Sequence, residues 1–222
     1  MLNQENRNGN TFNGNAFVDI TFLKDFKFTF NVGTTVNEIR YYTTTNPYYG
    51  FGAEQNGTVT MYHYRTTTLN LQQILNYSHN FGKHNISVML GHESYKYNYA
   101  ELSASKKNMF SYWGNHELNG AVIDGSSAAS YSNDYNTEGY FFRALYDYDA
   151  KYYFSASYRR DASSRFHPDH WWGNFYSVGG AYLMSKEDWF DVKWIDMLKI
   201  KFSIGQQGND NIGSYNYTDR YN

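Results

Sequence analysis

Along residues 198–204 apolar and polar side chains alternate one by one. Leu198, Ile200, Phe202 and Ile204 share one face, while Lys199, Lys201 and Ser203 share the other, which is the period of a two-faced strand. The same period recurs upstream. Ala16, Val18, Ile20 and Phe22 define a first strand, and Phe28, Phe30, Val32 and Val36 a long second one at about 26–42. A third, at about 58–79, carries Val59, Met61, Leu69, Leu71, Leu75 and Tyr77 on one parity. In a fourth, at about 84–104, Ile86, Val88 and Leu90 share one parity and Tyr95, Tyr97 and Tyr99 the other. That phase change predicts a bulge near Gly91, or a strand passing from one environment into another. Four further strands are predicted between Thr137 and Gly213: EGYFFRALYDYD, KYYFSASYRRD, NFYSVGGAYLM and LKIKFSIGQQ.

The connections alternate in length. Residues 23–25, 80–83 and 149–150 are tight, whereas 43–57, 105–136 and about 162–173 are long and polar, and 1–15 read as the tail of another loop. Short turns on one side and long loops on the other are the pattern of an up-and-down membrane barrel. Aromatic residues gather near strand ends, at Tyr41-Tyr42, Tyr140-Phe141-Phe142, Tyr152-Tyr153 and Trp189-Phe190, as interfacial girdles would. Ser185-Lys186-Glu187-Asp188 has the form of a capping box. It predicts a short helical turn whose Trp189, Phe190, Trp194 and Ile195 either anchor at an interface or pack beneath a barrel rim.

Composition narrows the class. Aromatics make up 20% of the 222 residues, there are only 2 prolines and no cysteine, and formal net charge is −2. Mean hydropathy is −0.72 and the pI about 6.4. Nothing approaches the ~20 apolar residues of a membrane helix, but a membrane strand needs only ~9–11 residues, half of them apolar. The charge gives no basic face for nucleic acid, and the missing cysteines exclude disulfides and thiolate metal sites. Met1-Leu2-Asn3-Gln4-Glu5 lacks the basic start and apolar core of a signal peptide, so an exported chain beginning this way is expected to be a piece of a longer one.

Two segments carry a specific resemblance: YRRDASSRFHPDHWWGNFYSVGGAYLMSKEDWF and LKIKFSIGQQGNDNIG. Asp161, Ser163, Ser164, Arg165, Phe166, Trp172 and Gly173 in the first, with Gly208, Asn209, Asp210 and Asn211 in the second, fill motif positions of the SusC/RagA type of TonB-dependent outer-membrane transporter, which the chain resembles over 137–213. Arg159 or Arg160 takes the motif arginine, while Ala162 and His167 stand where glycine is usual. The resemblance implies an all-β, antiparallel up-and-down transmembrane barrel. Residues 1–222 would be a partial barrel domain of about eight strands, without a plug, from a 22-stranded whole. It further implies the outer membrane of a Gram-negative bacterium, import of oligosaccharides or peptides, a SusD-like surface lipoprotein and the TonB complex as partners, contact with lipid, and no cofactor. Two other readings stay open: a self-contained porin-like small barrel, and a soluble β-rich surface binding module.

Candidate chemistry is sparse. Gly50-Phe51-Gly52 lacks the third glycine of a dinucleotide fingerprint, and no helix is expected after it. His167-Pro168-Asp169-His170 fits no standard metal spacing, His92-Glu93 and His116-Glu117 lack the second histidine of a zincin, and no G-x-S-x-G elbow occurs. Neither a metal nor an enzyme is expected. Gly208-Asn209-Asp210-Asn211 reads as a turn rather than a calcium loop. Tyr112, Trp113 and Trp171 are the candidate cargo contacts, as loop aromatics able to stack on sugars or peptide side chains. Arginine at Ile200 is expected to cost ~2–4 kcal/mol if that residue meets lipid near the midplane, and arginine at Lys199 little.

Overall fold

The computed structural model describes residues 3–112 and 116–213. Eight antiparallel strands follow one another in a single sheet of order β1 to β8. They are β1 (Gln4–Phe22), β2 (Phe26–Thr45), β3 (Thr58–Phe81), β4 (His84–Met109), β5 (Ala121–Tyr148), β6 (Tyr152–Ser163), β7 (Trp172–Leu183) and β8 (Lys199–Gly205). The all-β meander is as the alternation predicts. β1 and β8 are the two ends of that order and do not pair, so these strands do not close on themselves as a small porin-like barrel would.

The strands are longer than their apolar runs. Residues 4–15 belong to β1, and the presumed loop 105–136 shrinks to 110–120 because β4 and β5 continue to Met109 and from Ala121. These extensions are mostly polar and their few apolar residues do not alternate regularly, so a sequence reading finds no strand period in them. Gly91 is no bulge. Contacts between β4 and β5 keep one parity from Asn85 with Asp147 through Tyr95 with Tyr135 to Tyr99 with Tyr131, so the phase change marks new surroundings along one regular strand.

The chain falls into two compact units. The first comprises Met1–Gly14, Gly33–Leu69 and Tyr97–Asp134. Its small core is Val59, Met109, Tyr112 and Ala121, with Leu118 against it. A one-turn helix, α1 (Phe51–Glu54), does follow Gly50, contrary to expectation. A Cβ at Gly52 would collide with the Asn46 carbonyl, so that glycine serves a tight loop. Within this unit Tyr41 packs at a tilt against Tyr62 and Tyr42 stacks on His116.

The second unit comprises Asn15–Val32, Asn70–Lys96 and Tyr135–Asn222. Its register sorts the residues of β5 to β8 onto two faces. One carries Phe142, Ala144, Tyr146, Phe154, Ala156, Tyr158, Tyr176, Val178, Phe202 and Ile204. The other carries Arg143, Ser155, Ser157, Arg159, Asp161, Ser177, Lys199, Lys201 and Ser203. Phe202 lies over Gly180, its direct partner across the β7–β8 pair, where a Cβ would meet the ring at 2.6 Å.

Tight hairpins close one end of this unit. Asp149 and Ala150 have φ of 53° and 49°, so both central residues of the β5–β6 turn are left-handed. Such turns match strand twist, but alanine lacks glycine's freedom there. Ala150→Gly is therefore expected to stabilise the protein by about 1 kcal/mol, read as a higher urea midpoint with an unchanged slope. Ala162, by contrast, lies in the extended strand β6 and bears no such strain. The capping box at Ser185 does not form. A 3-10 turn spans Met184–Lys186 instead, capped by Leu183 without a side-chain bond.

Candidate functional site

Two belts of aromatic rings bound the apolar face of the second unit. At the tight-turn end, successive rings run Phe22, Phe26, Tyr77, His79, Phe81, His84, Tyr148, Tyr152 and Tyr182, with neighbouring centroids 4.8–6.4 Å apart. At the other end His92 stacks on Tyr140 at 4.7 Å, Tyr140 on Trp172 at 5.9 Å, and Arg160 lies 5.0 Å over the Trp172 ring. Ten residues of β7 separate Trp172 from Tyr182, about 33 Å along the strand. At the usual barrel tilt of about 40° this is about 25 Å of height, the thickness of an apolar membrane band.

Between the belts the face is both apolar and bare: Phe154 is 57% exposed, Val178 52%, Phe202 67% and Ile204 73%. Of the girdle residues expected from sequence, Tyr140 and Tyr152 join the belts and Phe142 the band between them. Phe141 and Tyr153 point to the other face, since neighbours in a strand must alternate. Ile200 pairs with Tyr182, level with a belt and not midway between the two, which corrects the level expected for it.

On the opposite face Arg159 is paired laterally. Arg159 Nε donates to both Asp161 oxygens at 2.7 Å, its Nη2 donates to Glu93, and its guanidinium lies 5.5 Å from the Phe141 ring. Phe141 in turn covers Gly91, where a side chain would collide with it. The two arginines are thus divided by parity, Arg159 to this polar cluster and Arg160 to Trp172. Arg143, Lys199, Lys201, Asp147 and several serines line an open hollow of about 750 Å³ on this face.

The motif residues converge beside the middle of β5, where β6 ends, β7 begins and the segment after β8 passes. Asp210 accepts hydrogen bonds from Tyr135 Oη at 2.5 Å and Ser163 Oγ at 2.9 Å. Arg165 donates to the Asp210 carbonyl at 3.0 Å and lies 4.2 Å over the Tyr135 ring. Ser164 exchanges bonds with Asn136: its N–H donates to the Asn136 carbonyl and its Oγ accepts the Asn136 N–H, both at 3.0 Å. Asn209 Oδ1 accepts the Asn211 N–H at 2.9 Å, making the turn its sequence suggests. Phe175 packs over Gly208, where any Cβ would strike the ring, and over Gly173, where it would lie 2.8 Å away. Burial works against ionisation of Asp210, but the Tyr135 and Ser163 hydroxyls and the Arg165 charge outweigh it and hold the carboxyl below its usual range. The same burial, with the Asp210 bond, pushes the Tyr135 hydroxyl up to about 12.

The structure therefore brings Asp161, Ser163, Ser164, Arg165, Phe166, Trp172, Gly173, Gly208, Asn209, Asp210 and Asn211 to one neighbourhood, which encloses a pocket of about 360 Å³. Tyr135 is the member that sequence reading missed, although it shares parity with Thr137, Gly139 and Phe141 on the same strand. Of the cargo candidates, Trp171 lines that pocket. Tyr112 is 2% exposed in the core of the other unit, and Trp113 lies outside the described residues. Trp171 is 41% exposed and donates from Nε1 to the Phe166 carbonyl at 2.9 Å. His167 accepts the Asp169 N–H as a cap, and no cluster of three metal-ligating side chains occurs among the described residues.

Comparison with known proteins decides the family. No family model matches the chain. TonB-dependent receptor P3 of Formosa agariphila is 29% identical over 219 residues, 95% of this chain and 21% of the relative. TonB-dependent receptor SusC of Bacteroides thetaiotaomicron is 27% identical over 221 residues, 96% of this chain and 21% of the relative. A solved structure of the RagAB peptide transporter superposes with a TM-score of 0.89 at 26% identity, covering 97% of this chain and 24% of that one. The chain belongs to the SusC/RagA-type TonB-dependent transporters. It spans about a fifth of the length of the curated relatives it matches, and its strands correspond to a segment of such a transporter's barrel. These SusC/RagA-type relatives are named as receptors and transporters rather than enzymes.

Proposed function

We propose that this SusC/RagA-type chain is part of the wall of a TonB-dependent importer in the outer membrane of a Gram-negative bacterium. The observation that carries the reading is the bare apolar band, about 25 Å tall, bounded by two aromatic belts and backed by a polar face. The apolar face meets lipid and the polar face lines the lumen. The unpaired edges of β1 and β8 support further strands on both sides, since an open edge inside a bilayer leaves backbone groups without partners. The knot around Asp210 sets the loops above the band, and cargo contact falls to loop residues such as Trp171. The wall itself catalyses nothing. The cargo is an oligosaccharide or a peptide, and a SusD-like lipoprotein covers the outer opening. Likeness to the RagAB peptide transporter supports the peptide.

Deleting the gene in its host tests this. Uptake of either labelled oligopeptides or labelled oligosaccharides is expected to be lost, and a protonophore should abolish the same uptake in the parent strain. Unchanged uptake of both, or recovery of the full-length protein in the soluble fraction, overturns the proposal.

A further inference from the structure

The connection between β7 and β8 departs from the other tight-end turns. They use two or three residues, whereas this one runs from Met184 to Leu198. Its apolar side chains are divided. Phe190, Val192 and Ile195 are half-buried, and the Ile195 N–H donates to the Val192 carbonyl at 3.0 Å. Trp189, Trp194 and Met197 point outward, 63%, 83% and 70% exposed. Three large apolar side chains left bare within nine residues call for a covering.

Glu187 fixes where the segment lies. Its Oε1 accepts from Tyr152 Oη at 2.8 Å and Tyr182 Oη at 3.2 Å, and its Oε2 accepts from Lys151 at 3.1 Å. The Tyr152 hydrogen bond, and then Lys151, hold the Glu187 carboxyl below its usual range, so it is ionised at neutral pH. Tyr152 and Tyr182 stack at 4.9 Å as the last members of the tight-end belt. The carboxylate therefore ties the connection to the apolar side of the sheet, at the height of the belt. Beginning there, the segment interleaves its apolar residues with Lys186, Asp188, Asp191, Lys193 and Asp196, a mixture too polar for the hydrocarbon and suited to the headgroup layer.

We infer that residues 184–198 form a headgroup anchor, in which Trp189, Trp194 and Met197 enter the interfacial layer of a zwitterionic phospholipid leaflet. The inference rests on the wall reading above, because the belt defines the interface that the segment continues. Charge selects the lipid. The segment holds four carboxylates (Glu187, Asp188, Asp191, Asp196) against two lysines (Lys186, Lys193), so an anionic surface would repel it. Glu187 is the positioning residue, and the two tryptophans supply the contact. The anchor holds β7 and β8 at a fixed height, a task the short turns leave to the belt rings alone.

The test uses the full-length protein in phosphatidylcholine vesicles, with a nitroxide at position 193 and, in a separate sample, at position 204. Collision with oxygen reports lipid, and collision with a water-soluble nickel chelate reports solvent. The label at 204 is expected deep in the hydrocarbon and that at 193 at headgroup depth. Trp189→Ser with Trp194→Ser, and separately Glu187→Ala, should lower the oxygen-to-nickel ratio at 193 severalfold and leave 204 unchanged. A deep 204 with 193 wholly in water overturns the anchor and spares the wall. A 193 label shielded from both reagents means that protein covers the segment, which also overturns it. If 204 is not in lipid, the wall reading fails and takes the anchor with it.

Discussion

Val178→Arg is expected to destabilise the full-length transporter by about 2–4 kcal/mol. Val178 lies on β7 between the belts, six residues from Trp172 and four from Tyr182, with Ala156 and Ile204 beside it. From that depth an arginine must carry its charge ~13 Å along the strand to reach the nearer belt, farther than its side chain extends. Two controls separate depth from mere bulk. Ser177→Arg points to the polar face and should cost little. Ile200→Arg stands level with Tyr182, where the guanidinium reaches the interface, and should cost about 0–1 kcal/mol. Urea midpoints in vesicles, or the temperature at which gel mobility shifts, order the three variants. Equal losses at Val178 and Ser177 would remove the two-faced assignment.

The second large effect belongs to Asp210. Asp210→Ala leaves the Tyr135 and Ser163 hydroxyls without their acceptor in a partly enclosed pocket, and a buried group stripped of its partner costs about 1–3 kcal/mol. The sign of the pH dependence follows from the lowered carboxyl. Its folded value lies below the ordinary 3.8, so the stabilisation is complete above pH ~4 and is lost as pH falls through the folded value. The parent should thus show a steeper acid limb below pH 4 than Asp210→Ala, which keeps the contribution of other lowered carboxyls such as Glu187, while the two differ by a constant amount from pH 5 to 8. Thermal melts from pH 3 to 8 read both, and a variant equal to the parent at pH 7 would deny Asp210 its role in the knot. The β6–β7 loop should also become more sensitive to protease, because Arg165 reaches the Asp210 backbone.

Particular residues show how far the sequence could be read. Alternation in 198–204 located β8 and both of its faces without any partner in view, since a one-residue change of phase would have put lysines on the apolar side. The SSRF and GNDN segments were recognisable as a pair, yet nothing in either says that Asp210 meets Ser163 across 47 residues. Tyr135 escaped notice because the polar strand around it has no period. Arg159 and Arg160 could not be told apart until the register fixed which way each one points. Tyr112 looked like a loop aromatic free for cargo, and packing against Val59 and Met109 was invisible from its neighbours in sequence.

Side-chain chemistry and spacing alone determined the strand class and the hairpin order of this chain, because period and turn residues are local properties, and its two motif segments carried the resemblance that comparison with known proteins then decided. The tertiary structure decided what depends on position across strands. It aligned the rings of seven strands into a belt, set Ile200 at that belt and Val178 between the two, and tied Glu187 to Tyr152 and Tyr182. It also left the outer edges of β1 and β8 without a partner among the described residues. Each of these follows from register. Register is fixed by hydrogen bonding between segments far apart in the chain, and a linear pattern does not contain it.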